Sequence, residues 1–285
     1  MDLAPQRSTH ADFALEPFLE AFRSVHGQDL SRFNEGFLRR SLHRLAGPSS
    51  TLDAYLRRVI AVRADAEHLV RSLDIHHSEW FRDPLAFALL ERRILPDLVA
   101  LHQRRGGTEI RVWSAGCAAG QEALSVAILL NDLAESRVHP VSFRIFATDT
   151  SEAQLALARS ATYPEAMLRN VPFKHLTRWF ARQGDAWVVS PDLLQHVHFS
   201  VNDLLDEAST CPPASIFGAF DLVLCCNLLY YYTAEHQQKV LRKLKRNLTP
   251  DGTLMTSDTE RDLVHAAGFR TVAAPAALFV QAGER

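Results

Sequence analysis

The segment 112–122 constrains the fold of this chain more than any other segment. A short apolar run at its start predicts a buried strand, small residues with Gly116 and Gly120 follow, and residues 122–130 place apolar side chains at helical spacing. A strand, a glycine turn and a helix in this order open the ligand pocket of a Rossmann-like sheet. Glycine suits the turn because the backbone bends tightly there and a ligand approaches it closely.

The spacing of the two glycines indicates which ligand the turn takes. It is G-x-x-x-G, which differs from the G-x-G-x-x-G of dinucleotide sites and from the P-loop, and no lysine follows to bind phosphates. Glu122 at the start of the helix disfavours an anionic pyrophosphate and suits a ligand with an amino group or ribose hydroxyls, such as S-adenosylmethionine. The alternative is a tight strand-to-helix turn of the kind found in any α/β protein.

Length, charge and cysteine content exclude several classes of protein. A chain of 285 residues can bury one large core or two modest ones, and a net charge of −2 argues against a nucleic-acid partner. The cysteines form no C-x-x-C pair and the adjacent His76 and His77 point apart, so we expect a reduced protein without a metal site. No segment resembles a signal peptide or a membrane span, so we expect a cytoplasmic protein with no direct membrane insertion.

The hydrophobic pattern divides the chain into three regions. Residues 1–75 show only helical periodicity and predict a small all-helical N-terminal domain, 76–90 predicts a linker, and 91–285 predicts an α/β domain. Within the last region, 163–200 breaks the alternation of strands and helices. This stretch predicts a small β insertion, partly antiparallel, whose last strand is 197–201.

The predicted N-terminal domain is locally basic. Between residues 31 and 71 there are eight arginines and four acidic residues. Arg40 and Arg44 are four positions apart and share a helix face, and Arg39 lies next to them. These three arginines are candidates for binding an acidic partner, and the alternative is an ordinary solvated helix face.

Polar side chains follow the later predicted strands. Asp149 follows the strand at 141–147, where Rossmann-like sheets bind ribose hydroxyls, and a simple helix cap is the alternative. Asn202 and Asp203 follow another strand, and Asn227 ends the most apolar strand of the chain. Because the carboxyl ends of parallel strands face the ligand cleft, we expect these side chains in the site.

The C-terminal segments 269–272 and 277–280 predict an antiparallel pair of strands. Such a terminal hairpin is usual in S-adenosylmethionine methyltransferases and unusual in dehydrogenases, so an NAD-dependent oxidoreductase is the weaker alternative. The predicted fold class is therefore α/β: a Rossmann-like S-adenosylmethionine methyltransferase domain with a small all-helical N-terminal domain and a small β insertion.

Several separated stretches occur in the order that one known family shows. They are Trp80-Phe81-Arg82-Asp83-Pro84, the turn from Trp113 to Glu122, Ala147-Thr148-Asp149, Ala158-Arg159-Ser160, Asn202 with Leu204-Leu205, Phe220-Asp221, Asn227 to Tyr231 and Pro250-Asp251-Gly252. Through them the chain resembles, over roughly residues 30–285, the CheR-type chemoreceptor protein-glutamate methyltransferases. The combination is more specific than any one of these motifs.

The resemblance implies roles for individual residues. Arg82 matches the linker arginine beside the methyl group of the donor, and Tyr231 matches a residue that flanks the reactive centre together with Asn227; Arg82 and Tyr231 are the implied catalytic residues. The implied donor-binding residues are Ser78, Arg82, Gly116, Glu122, Asp149, Asn202, Asp203, Cys226 and Asn227.

The resemblance also implies a cofactor and a partner. S-adenosylmethionine is the implied cofactor, and its methyl group is transferred to glutamate side chains of a chemoreceptor as methyl esters. The implied partner is the helical cytoplasmic domain of that receptor, and we expect the chain to be a monomer.

The chain departs from the family pattern at three positions. Gln121 stands where the family usually has an acid, Cys226 where it often has an arginine, and His76 where asparagine is common. These departures motivate an alternative, a CheR-like regulatory protein that binds S-adenosylmethionine with weak or no catalysis. The insertion also lacks the glycine-rich loop of members that bind a receptor's C-terminal peptide, so we expect no need for such a tether.

Overall fold

A computed structural model of the chain describes residues 13–48, 50–73, 78–107, 109–135 and 141–283. The chain divides into two units, residues 1–75 and residues 76–285. The predictions for His76 and His77 concern positions outside the described residues.

The first unit consists of helices over its described residues, as the periodicity predicts. Asn34 and Thr51 cap the second and third helices, because their side chains accept hydrogen bonds from the backbone N–H groups of Phe37 and Ala54. The helices are α1 (Leu15–His26), α2 (Glu35–Ala46), α3 (Leu52–Ala61) and α4 (Arg63–Leu73). Their fully buried side chains are Phe22, Leu38, Leu42, Val59 and Leu69.

The second unit is built on a seven-stranded sheet with a smaller three-stranded sheet beside it. The strands are β1 (Glu109–Ala115), β2 (Ser142–Asp149), β3 (Thr162–Pro164), β4 (Phe180–Gln183), β5 (Ala186–Val189), β6 (Val197–Val201), β7 (Phe220–Leu224), β8 (Leu248–Met255), β9 (Phe269–Thr271) and β10 (Leu278–Gln281). The helices are α5 (Pro84–Leu89), α6 (Leu95–Arg104), α7 (Gln121–Glu135), α8 (Glu152–Ser160), α9 (Phe173–Trp179), α10 (Pro191–Leu194), α11 (Ala234–Asn247) and α12 (Arg261–Ala266).

The large sheet has the strand order β6-β2-β1-β7-β8-β10-β9. The pairs from β6 to β8 are parallel, and β10 is antiparallel to both of its neighbours. The predicted terminal hairpin is therefore confirmed. Every residue of β7 is buried, as expected for a central parallel strand covered on both faces.

The centre of the sheet is fixed by a buried tryptophan. Trp113 on β1 is fully buried, and its indole Nε1 donates a hydrogen bond of 2.9 Å to the hydroxyl of Thr148 on β2. A buried indole N–H needs an acceptor, so this bond favours one register between the two strands that carry the site.

The structure corrects three details of the sequence interpretation. Strand β6 does not belong to the insertion, since it pairs in parallel with β2 in the large sheet, while β3, β5 and β4 form the small antiparallel sheet. The composition of Ser190-Pro191-Asp192 predicts a turn, but a short helix, α10, begins there and stands between β5 and β6. The composition of Pro250-Asp251-Gly252 also predicts a turn, but this segment lies inside the bounds of β8 at an irregularity in its pairing with β7.

Candidate active site

The strand order reverses between β1 and β7, because the chain extends from β1 to β2 and β6 on one side and reaches β8 on the other. Ligands of open parallel sheets bind outside the carboxyl ends of the strands at such a point. A cavity of about 360 Å³ lies there. It is lined by six of the predicted site residues: Ser78, Arg82, Gly116, Glu122, Cys226 and Asn227.

The glycine turn after β1 bends as its sequence predicts. Gly116 and Gly120 both have left-handed backbone, with φ of +80° and +88°. The N–H groups of Gly116 and Cys117 donate to the carbonyl of Thr148 at the end of β2, at 2.8 and 2.9 Å. A Cβ atom on Gly120 would lie 2.9 Å from the Cβ of Ala158, so this glycine is required by packing as well as by its φ.

Glu122 is in the first turn of α7 and presents its carboxylate to the cavity. The hydroxyl of Ser114 donates to its Oε1 at 2.7 Å. Burial raises the pKa of the Glu122 carboxyl above its usual value, while the Ser114 hydroxyl, the Cys226 thiol and the Arg82 guanidinium oppose that rise. A carboxylate held this way suits a cationic amino group, which would replace the lost hydration.

Arg82 is exposed, but the residues around it are fixed. Trp80 before it is fully buried, and its ring lies 5.2 Å from Tyr163. Phe81 is also buried, with φ of +47°, and its N–H donates to the hydroxyl of Ser125. Asp83 after it caps α5 through a 3.0 Å bond from a backbone N–H. The arginine therefore extends from a well-held backbone, and its side chain lines the cavity.

The loop after β7 forms the opposite wall. Cys226 and Asn227 line the cavity, and Asn227 has left-handed backbone with φ of +59°. Burial raises the pKa of the Cys226 thiol far above its usual value, and the neighbouring Glu122 carboxylate raises it further. The thiol therefore stays protonated at neutral pH and is not a thiolate nucleophile.

Tyr231 lies in the short 3-10 turn Leu229–Tyr231 that follows and does not itself line the cavity. The hydroxyl of Tyr230 donates to the hydroxyl of Tyr231 at 2.8 Å. Burial raises the pKa of Tyr231, and Arg82 opposes the rise. Tyr231 is therefore a neutral phenol that lies within the electrostatic influence of Arg82.

Three further predicted site residues lie outside the lining of this cavity. Asp149 ends β2, and Asn202 and Asp203 directly follow β6, the strand paired with β2. The N–H of Asn202 donates to the carbonyl of Asp149 at 3.0 Å, which joins the two strand ends. The carboxylate of Asp149 accepts hydrogen bonds from the N–H groups of Ala118 and Ser151, both at 2.9 Å. The N-cap of α8 is Ser151, so Asp149 is not the helix cap of the alternative interpretation, and its carboxylate lies beside the glycine turn.

Asn202 carries an unsatisfied polar atom. Its Nδ2 donates to the hydroxyl of Ser209 and to the carbonyl of Cys211, at 2.8 and 3.3 Å. Its Oδ1 is buried and accepts no hydrogen bond from the described residues. Buried amide oxygens normally have a donor, so a ligand N–H group, such as the exocyclic amine of an adenine, would complete this site.

Comparison with protein families decides the class of this site. The model of the CheR methyltransferase, SAM-binding domain, matches residues 76–277. The chain belongs to the CheR methyltransferase family. The predicted family and its cofactor, S-adenosylmethionine, are thereby confirmed, and the dehydrogenase alternative is wrong.

Relatives of this CheR-family chain have similar levels of identity over different shares of their length. Chemotaxis protein methyltransferase 1 of Pseudomonas aeruginosa is 31% identical over 198 residues, which cover 68% of this chain and 69% of that protein. An uncharacterised 104.1 kDa protein of Rhodobacter capsulatus is 31% identical over 230 residues, 80% of this chain but only 23% of that protein. Among solved structures, CalO1, a methyltransferase of calicheamicin biosynthesis in its SAH-bound form, is 15% identical with a TM-score of 0.38, covering 87% of this chain and 69% of its own.

Sequence reasoning missed the third wall of the CheR-family cavity, which follows β8. Thr256, Ser257, Asp258 and Thr259 line the cavity there. The signal that could have found this wall is the pattern S-x-x-E at Ser257–Glu260, a capping box in which each of the two side chains bonds to the other residue's backbone N–H.

The three predicted arginines of the N-terminal unit differ in their surroundings. Arg39 is half-buried, since it donates to Glu35 at 2.8 Å and to the carbonyl of Phe13 at 3.0 Å. Arg40 and Arg44 on the same helix, α2, are exposed. Their role in partner binding stays a prediction, and Arg40 and Arg44 are the two that an incoming partner can reach.

Two of the departures from the family pattern have visible surroundings. Gln121 is buried and does not line the cavity, and its Oε1 accepts no hydrogen bond from the described residues. Cys226 does line the cavity, so this departure changes the chemistry of its wall. Within the described ranges no cluster of three or more histidine, cysteine or acidic side chains could hold a metal ion, and no helix there has the length and apolarity needed to cross a membrane.

Proposed function

We propose that the chain transfers the methyl group of S-adenosylmethionine to glutamate side chains in the helical cytoplasmic domain of a chemoreceptor, forming glutamyl methyl esters. The observation that carries the proposal is the state of Arg82. This guanidinium lines the donor cavity. It forms no ion pair or hydrogen bond with any of the described residues. It is thus available to a carboxylate that enters the cavity, which is the acceptor that glutamate methylation needs.

In this proposal each polar group of the donor is bound by a side chain of opposite charge or by a hydrogen-bond partner. Glu122 pairs with its amino group, Asp149 accepts from its ribose hydroxyls, and Asn202 and Asp203 face its adenine. Ser78, Gly116, Cys226 and Asn227 complete the binding surface. When bound, S-adenosylmethionine supplies a methyl group on a positively charged sulfur, and the carbon–sulfur bond breaks as the carboxylate oxygen bonds to that carbon.

The chain's own residues then contribute orientation, not proton transfer. A glutamate side chain is already ionised at neutral pH, so no general base is required. Arg82 attracts and aligns the acceptor carboxylate, and the neutral phenol of Tyr231 donates a hydrogen bond beside it. Holding the reacting groups in line is worth several orders of magnitude in rate.

The acceptor is expected to meet the basic N-terminal unit as well as the cavity. Arg40 and Arg44 give α2 an exposed positive face that suits an acidic receptor helix, with Arg39 bound internally beside them. We propose that the chain acts as a monomer in the cytoplasm and reaches the receptor without inserting into the membrane.

The test is transfer of labelled methyl groups from S-adenosylmethionine to a purified receptor cytoplasmic fragment. We expect label that mild base releases as methanol, as a carboxyl methyl ester requires, and that is lost when the receptor's acceptor glutamates are changed to glutamine. Label that resists base would contradict ester formation.

A regulatory protein without catalysis is the second candidate, and Cys226 in the donor cavity favours it. It predicts tight binding of S-adenosylmethionine with no label on any receptor fragment. Binding and transfer measured on the same preparation distinguish the two candidates.

A further inference from the structure

We infer that Glu260 is a positioning residue of this active site: its carboxylate holds the loop after β7 that presents Cys226 and Asn227 to the donor. The inference rests on the proposed function and assigns a role to a residue that does not line the cavity. Glu260 is fully buried, so its carboxylate depends on protein donors.

The hydrogen bonds of Glu260 join two separate segments. Its Oε1 accepts from the N–H groups of Leu228 and Leu229, at 2.8 and 2.7 Å. Its Oε2 accepts from the N–H of Asn227 at 3.1 Å, and from the N–H and hydroxyl of Ser257 at 3.0 and 2.7 Å. Within the described residues no lysine or arginine forms an ion pair with Glu260. The carboxylate therefore serves the backbone of the two segments.

The backbone of the loop explains why an anion is needed there. Asn227 is left-handed and Leu228 is right-handed, with φ of +59° and −116°. Successive N–H groups in such a turn point to one concavity, which binds anions. Without the carboxylate, the three backbone donors, one buried and two partly buried, would lose their acceptor and the left-handed residue would lose its support.

The position of Glu260 between two cavity walls connects this anchoring to binding. One wall is formed by Cys226 and Asn227, and the anchored N–H groups are those of Asn227 and the two residues after it. The other is formed by Ser257 and the two residues after it, in the turn that Glu260 caps. A change at Glu260 therefore moves both walls, although the side chain touches neither the donor nor the acceptor.

The test compares Glu260→Gln with Val264→Ala in the full chain. Glutamine keeps the size of the side chain but replaces one acceptor oxygen with an N–H₂ group, which faces N–H donors. Val264 is fully buried in the adjacent helix α12, so Val264→Ala loosens packing nearby and leaves the carboxylate in place. Two quantities are measured: hydrogen exchange of a peptide containing Asn227 to Leu229, and the Kd for S-adenosylmethionine.

We expect Glu260→Gln to speed exchange in that peptide at least tenfold more than Val264→Ala and to weaken donor binding about tenfold or more. Glu260→Asp, which keeps both oxygens on a shorter side chain, is expected to recover part of both losses and decides the matter if Glu260→Gln does not fold. Unchanged exchange and a Kd within twofold of wild type would overturn the role of Glu260, as would an equal loss of affinity in Val264→Ala. Donor binding by the wild type is therefore measured before any variant is compared. A wild-type chain that binds no donor would overturn the proposed function, not the role of Glu260.

Discussion

Charged side chains are used in opposite ways in the two units of this chain. In the N-terminal unit the ion pairs are open to water, as in Arg57–Asp53, whose side chains are 79% and 71% exposed. In the α/β unit two carboxylates near the site, those of Glu260 and Asp149, are buried and receive fixed donors. Exposed pairs contribute about 0–1 kcal/mol each, whereas removing a buried acceptor costs about 1–3 kcal/mol for the donors left behind.

This difference indicates two different roles for charged side chains, attraction of a partner and fixing of the site geometry. A surface of exposed charges can attract a partner and change by substitution without loss of structure. An enclosed carboxylate fixes geometry and cannot be altered without moving the atoms around it. We therefore expect substitutions of site residues in the α/β unit to affect donor binding and transfer, and those on α2 to affect only encounter with the receptor.

Arg82→Ala is expected to have the largest effect on methyl transfer. It also sharpens the comparison between exposed and buried charges, because Arg82 is exposed yet lines the cavity. Loss of the aligning guanidinium should lower the rate of methyl transfer about 100-fold or more. Circular dichroism and melting temperature should stay near those of wild type, since Trp80 and Phe81 hold the backbone. The exposed Arg93 provides the control, and an Arg93→Ala variant as slow as Arg82→Ala would contradict the assignment.

Glu122→Gln tests the electrostatics of the enclosed site through pH. Because the pKa of Glu122 is raised in the folded chain, folding takes up protons between its ordinary and raised values, and the stability of the wild type falls as pH rises through that window. Donor affinity should rise over the same window as the carboxylate ionises. Titration calorimetry should find an affinity for the donor about tenfold lower in Glu122→Gln than in wild type at neutral pH. The pH dependence of that affinity should be flattened, and the melting temperature should be slightly higher than that of wild type.

The exposed Glu152 on α8 supplies the matched control for that experiment. Glu152→Gln should keep both the affinity and the pH dependence of wild type. A pH dependence that persists in Glu122→Gln would assign the titration to another group.

The double variant Arg40→Glu, Arg44→Glu should have the smallest effect. Reversing these two exposed charges should raise the KM for receptor about fivefold at low salt, with a smaller difference at high salt. Donor affinity should not change. Arg57→Glu on α3 is the comparison variant, and an equal rise in KM there would break the claim that α2 carries the recognition surface.

Local patterns made much of the site predictable. The strand, turn and helix around Gly116 and Gly120, and the acidic residue at the end of β2, depend on residues close in sequence, so spacing alone picked out Glu122 and Asp149 as candidates. The burial of β7 and the terminal hairpin were predictable for the same reason. The roles of the site residues remain predictions that the variants above test.

What could not be predicted depends on contacts between distant segments. The segment Val197–Val201 looks the same in sequence whether it pairs with β5 or with β2, and only the structure shows that it pairs with β2. Glu260 bonds to backbone groups up to 33 positions away, and its capping box with Ser257 explains only the local half of its contacts. The role of such a carboxylate can be recognised only when the structure shows that the two segments lie next to each other.

The most direct test of the central claim is calorimetric titration with S-adenosylmethionine and S-adenosylhomocysteine, using wild type, Asp149→Ala and Asp192→Ala. Asp192 is an exposed acid in the first turn of α10 and serves as the control. The account predicts that wild type and Asp192→Ala bind both ligands, and that Asp149→Ala loses about 10-fold to 100-fold in affinity with its ribose acceptor. Absence of binding in folded wild type, or unchanged affinity in Asp149→Ala, would contradict it.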